Sequence, residues 1–102
     1  MIVGGYHNAV LVGNRVAIVG GNRNRIEADT GGGSARGATV LGGASNTASE
    51  QFSVAVGGWN NRASGDHSVV VGGGQHNEAS GPRSVVLGGG GTHATDAQEI
   101  AP

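Results

Sequence analysis

The chain of 102 residues contains no cysteine and no lysine. Without cysteine it has neither disulfides nor thiolate metal sites, so cysteine usage does not separate a cytosolic from an extracellular or virion setting. Six arginines face seven acids for a net charge of −1, with no basic run. A phosphate-neutralising footprint is therefore excluded, and no nucleic-acid partner is expected. No apolar run approaches the ~20 residues of a membrane-spanning helix, so no membrane insertion is expected. There are only two prolines, Pro82 and Pro102, and no G-X-Y period, which excludes collagen despite 22 glycines. Aromatic bulk is scarce, with one Phe, one Trp and one Tyr. Residues 1–10 lack the basic and long apolar segments of a secretory signal. The expectation is a fragment, or a protein that leaves the cell by another route such as virus assembly.

What is present is a repeat. SVAVGGWNNRASG starts at Ser53, SVVVGGGQHNEASG follows at Ser68, and a third copy begins at Ser84. The anchor Gly-Gly-x-x-Asn ends at Asn8, Asn24, Asn46, Asn61 and Asn77, with steps of 16, 22, 15 and 16 residues. A degenerate sixth copy is read at Gly90-Gly91-Thr92-His93-Ala94. Strand-like runs precede most anchors at 16–19, 39–41, 53–56, 68–71 and 84–87. Such a unit is too small to bury anything alone, and stacking is what can stabilise it.

A rung of about 16 residues has room for two short strands and two tight turns. In Ser-Val-x-Val the outer residues share one face: Val54 with Val56, Val69 with Val71, Val85 with Leu87. The middle residues Ala55, Val70 and Val86 point the other way and are also apolar. A strand apolar on both faces is covered on both. One face packs inside the coil, and a neighbouring copy is the economical cover for the other, since a chain built mostly of Val and Ala has little core volume. Ala48, Ala63 and Ala79 recur on the lighter second strand. The asparagine column Asn8, Asn24, Asn46, Asn61 and Asn77 is expected to stack rung over rung as structure, as are Ser53, Ser68 and Ser84 at strand starts.

These motifs resemble the head repeat of trimeric autotransporter adhesins and related repeats of bacteriophage tail fibres. The resemblance covers roughly residues 2–91 and is strongest from 39 to 91. It places 53–56, 68–71 and 84–87 at the family's first-strand positions and Ala48, Ala63 and Ala79 at its second-strand alanines. It implies an all-β fold: a left-handed parallel β-roll (β-solenoid) of about six rungs, homotrimeric around a common axis. Here the rung is longer than the family's usual ~14 residues and carries a doubled glycine plus Asn. The expected organisation is a repeat domain over 1–91, with an insertion loop at about 25–37, and a polar C-terminal tail or cap over 92–102. That loop carries Glu27, Asp29 and Arg36, which would be its tip if it projects as a recognition loop rather than a plain surface loop.

The variable pairs of the anchor form an exposed column: Tyr6-His7, Asn22-Arg23, Ala44-Ser45, Trp59-Asn60, Gln75-His76 and Thr92-His93. Trp59 stands out as the one indole in a chain of small residues. Beside Asn60 and Arg62 it can stack on a sugar ring or a partner surface, or cover a gap between subunits. Ligand or receptor contacts are therefore expected at Trp59, Asn60, Tyr6, His76, Gln75 and Arg23. His76 and His93 are read at the same repeat position on adjacent rungs, about 5 Å apart. His7 holds it near the other end. Without cysteine or clustered carboxylates, surface histidines are expected rather than a metal site, and no cofactor is expected. The glycine segments lack a Gly-Lys-Ser/Thr sequence and a following helix, Gly-Gly-Gly-Ser-Ala lacks the context of a nucleophile elbow, and the acids are scattered. An enzyme is not expected. The reading is a structural and attachment module, located on a virion (fibre tip or capsid decoration) or at the cell surface as an adhesin head. Its partners would be its own copies, a host glycan or surface protein, or other virion proteins. The alternatives are a monomeric solenoid on an ordered surface such as ice, or a pure trimerisation scaffold.

Overall fold

The computed structural model describes residues 1–11, 15–27, 36–72 and 74–101. Among the described residues thirteen short strands form two parallel sheets. The first sheet has seven: β1 (Ile2–Val3), β3 (Ala17–Val19), β5 (Thr39–Leu41), β7 (Val54–Val56), β9 (Val69–Val71), β11 (Val85–Val86) and β13 (Ile100–Ala101). The second has six: β2 (Ala9–Val10), β4 (Arg25–Ile26), β6 (Thr47–Ala48), β8 (Arg62–Ala63), β10 (Glu78–Ala79) and β12 (His93–Ala94). Each strand pairs with the strand two further along the chain, so every rung contributes one strand to each sheet. The result is a parallel β-solenoid of six turns ending on a further strand.

Alternation left open which face of Ser-Val-x-Val turns inward. In the structure the middle residue does: Ile18, Val40, Ala55, Val70 and Val86 are fully buried. They meet Ile26, Ala48, Ala63, Ala79 and Ala94 from the second sheet, which are also fully buried. Ser53, Ser68 and Ser84, two residues from that middle position, lie inside with them. Small side chains on one sheet let the two sheets close over a thin core. The interior narrows from Ile18 and Ile26 on the second rung to Ala55 and Ala63 on the fourth.

The outer valines therefore face away from the roll. In register they form the column Val3, Val19, Leu41, Val56, Val71 beside the column Ala17, Thr39, Val54, Val69, Val85, Ile100. Exposure reaches 41% at Val19, 42% at Leu41 and Val71, and 65% at Ile100. The outer face of the second sheet is polar instead. It carries Arg25, Thr47, Arg62, Glu78 and His93 in one register column. Glu78 lies 3.8 Å from Arg62 Nε and 3.6 Å from His93 Nδ1. Pairs this exposed contribute little stability.

Three expectations change. Within the segment expected as a polar tail or cap the pairing continues to residue 101: His93–Ala94 pairs with Glu78–Ala79, and Ile100–Ala101 pairs with Val85–Val86. The sixth anchor is Gly88-Gly89-Gly90-Gly91-Thr92, because Thr92 N–H donates to Asn77 Oδ1 and Gly91 N–H to Gln75 O. The insertion begins later than residue 25, since Arg25–Ile26 is a strand in register with Thr47–Ala48. Glu27 closes that strand, with its N–H on Ala48 O, and forms an ion pair with Arg25 at 3.1 Å. Arg36 belongs to the next turn, its carbonyl accepting from Phe52 N–H. Asp29 lies outside the described residues.

Candidate functional site

The glycine corner is built around the asparagine ladder. The backbone N–H of each Asn donates to Oδ1 of the Asn one rung below: Asn24 to Asn8 at 2.9 Å, Asn46 to Asn24 and Asn61 to Asn46 at 3.0 Å, and Asn77 to Asn61 at 3.1 Å. The Nδ2 groups donate to glycine carbonyls, as Asn61 does to Gly57 at 3.1 Å and to Gly74 at 3.4 Å. Asn24, Asn46, Asn61 and Asn77 are buried, so each amide is a buried polar group with its partners in place. The asparagine column bonds each rung to the next.

This bonding pulls the chain tight against the rung above. At Gly58, φ is +75° and a Cβ would run into Asn61 Nδ2 and the Gly74 carbonyl, so only glycine fits. The residue before each Asn is also left-handed: His7, Arg23, Ser45, Asn60 and His76 all have φ between 55° and 60°. Such a backbone costs a side-chain-bearing residue about 1 kcal/mol, which the surrounding ladder must offset.

One position earlier, Tyr6, Asn22, Ala44, Trp59 and Gln75 are joined by parallel bridges into a column along the corner. Trp59 is 51% exposed and Tyr6 65%. The expected contact residues are thus on one edge, but they do not converge. Three rung steps separate Tyr6 from Trp59, roughly 14 Å at ordinary strand spacing. Arg23 lies on the second rung, nearer Tyr6. Trp59, Asn60, Gln75 and His76 do come together, with the Trp59 and His76 rings 6.2 Å apart at 45°. Gly58, Trp59, Gly74 and Gln75 line a groove of about 350 Å³.

His93 does not share a column with His76. It stands in the second sheet opposite Glu78, whereas Gly91, at φ 67°, takes the position corresponding to His76. Four consecutive glycines hide the phase of that rung in the sequence. Among the described residues no group of three or more His, Cys, Asp or Glu is placed to hold a metal ion. No helix among them is long and apolar enough to cross a membrane.

Sequence reasoning passed over the opposite corner. There each rung turns through a tetrad: 50–53, 65–68, 81–84 and 96–99. The fourth residue donates its N–H to the carbonyl of the first, at 3.2, 3.1, 3.1 and 3.2 Å. The third residue is left-handed in each: Phe52, His67, Arg83 and Gln98. Pro82 occupies the second position, where proline suits a turn of this kind. The Phe52 and His67 rings lie 5.0 Å apart at 34°. The recurring residues between Ala-Ser and the next strand were the available signal.

Residues 58–74 match the YadA head domain repeat, in two copies. No curated protein and no solved structure matched the chain in the corresponding comparisons. The match covers Trp59 and the two strands that follow it, β8 and β9, inside a parallel solenoid. Residues 58–74 therefore carry a head-like repeat of the trimeric autotransporter adhesin kind.

Proposed function

We propose that the chain is a structural and attachment module in which three copies pack as left-handed rolls around a common axis, burying the outer face of the seven-stranded sheet. The observation that carries this reading is that face. Two adjacent columns lie in register along the roll, apolar except at Thr39 and mostly Val, Leu and Ile, while the opposite sheet is faced with charge. Contiguous apolar surface of this kind marks an interaction site, and a repeat that presents the same face at each rung suits a symmetric cover of its own kind. The corners then stay outward, and three-fold presentation raises avidity for a multivalent surface. The setting is an adhesin head on a cell surface, or a virion fibre tip or capsid decoration. The partner is a host glycan or protein, or another virion component.

Light scattering coupled to size exclusion tests the assembly. Three chains of 9.9 kDa per particle are expected for the native protein. Val71→Asp, which places a charge on the apolar face, is expected to shift the particle toward one chain with the strand content kept. A well-folded native particle of one chain at high dilution overturns the assembly.

A further inference from the structure

We propose that the Trp59 groove binds one neutral pyranose ring of a host glycan. This deepens the attachment reading and rests on it. The groove is shallow and open, about 350 Å³, which suits one flat ring laid against it rather than an enclosed ligand. One wall is the indole of Trp59, half exposed at the corner. Gly58 and Gly74 line the rest without side chains, so a flat ligand can approach the backbone closely. The apolar C–H face of a pyranose matches an indole face.

The polar side chain of the lining is Gln75. Its primary amide offers donors and an acceptor together, the complement of a sugar hydroxyl that is both. None of the four lining residues is ionisable, and the ionisable ring beside the indole, His76 at 6.2 Å, is not part of that lining, which favours a neutral saccharide over a sialylated or sulfated one. The groove also coincides with an irregularity of the repeat. Six positions separate Val71 from Asn77, against five from Val56 to Asn61, from Leu41 to Asn46 and from Leu87 to Thr92. The extra residue falls in the glycine run of the rung above Trp59. The same column carries Asn22 and Ala44 on the rungs below, so no other described rung of it presents an indole.

Trp59 is the sole tryptophan, so its emission reports on the groove directly. The intact chain is titrated with the methyl glycosides of glucose, galactose and N-acetylglucosamine, and with sialic acid as an acidic control. A saturable change in emission is expected for a neutral glycoside with a Kd of about 1 mM, as suits a single small ring. In ligand-observed NMR, Trp59→Ala is expected to abolish the signal and Gln75→Ala to weaken binding about tenfold. Both side chains are exposed, so both variants are expected to fold.

The proposal is overturned if no neutral glycoside gives a saturable response, if sialic acid binds as well as the neutral sugars, or if Trp59→Ala binds normally. It is equally overturned if the free protein shows blue-shifted emission shielded from a soluble quencher, which would place Trp59 in a contact between copies. Particle mass on the same samples separates this outcome from the assembly. Trimers that ignore sugars sink the groove and keep the assembly, whereas single chains that bind sugar do the reverse.

Discussion

The two corners of the roll turn the chain equally sharply and are held in different ways. At the asparagine corner the side chain bonds across rungs: Asn61 accepts from Asn77 above and donates to Gly57 and Gly74. At the opposite corner Ser53 and Ser68 bond within their own turns. Ser53 Oγ donates to Glu50 O at 2.7 Å, and Ser68 Oγ accepts from Gly65 N–H at 3.1 Å. The first corner ties neighbouring rungs together through its side chains as well as its backbone, whereas the second ties them through backbone bonds such as His67 N–H to Gln51 O and keeps its serine bonds within the turn. The sequence varies accordingly. Asn is kept at five anchors, while the serine position is Val16, Ala38 and Glu99 on other rungs. Glu99 meets the same need by another route, its carboxylate accepting from Thr95 and Asp96 N–H.

The contrast is broken most severely at Asn61. Asn61→Ala removes the acceptor of the buried Asn77 N–H and the donor to two glycine carbonyls, so a loss of about 3 kcal/mol is expected. In a thermal melt that lowers Tm by about 15 °C. A melt unchanged within a degree or two would remove the asparagine ladder from the list of what holds the rungs together.

Glycine substitutions sharpen the same contrast. Gly58→Ala meets backbone and the fixed Asn61 amide, and about 2 kcal/mol of destabilisation is expected. Gly37→Ala, at the other corner, meets the ring of Phe52, which is 47% exposed and can swing outward. About 1 kcal/mol is expected there, mostly from its positive φ of 71°. Denaturant midpoints measured at constant slope compare the two, and equal losses would mean that the corners are equally rigid.

The smallest effect is expected from Ser68→Ala. Gly65 N–H also reaches Ala79 O at 3.0 Å, so it keeps an acceptor when the hydroxyl is gone. About 0.5 kcal/mol is expected from the same denaturant series. A loss as large as that of Asn61→Ala would show that both corners carry the stack.

Much of this was legible because backbone chemistry leaves marks in the sequence. Gly-Gly-x-x-Asn recurs because a left-handed backbone and a side-chain amide are both required at each turn, and few residues supply either. Trp59 was legible as a lone indole, and its neighbours Asn60, Gln75 and His76 followed from the spacing. The phase of the last rung was not, because Gly88 to Gly91 carry no side chains to mark it and Thr92 stands where Asn is expected. His93 was therefore placed two residues out of register. The Phe52–His67 corner was missed because its residues share a backbone conformation rather than a side-chain type.

The repeat, its parallel stacking and its asparagine ladder were determined by the sequence alone, since their cause is local and recurs every rung. The inward face of the valine strands was decided only by the tertiary structure. Both faces are apolar, so alternation carries no sign. The choice came from the room between the two sheets, which admits one inward side chain per strand at the middle position and leaves Val56 and Val71 on the outside.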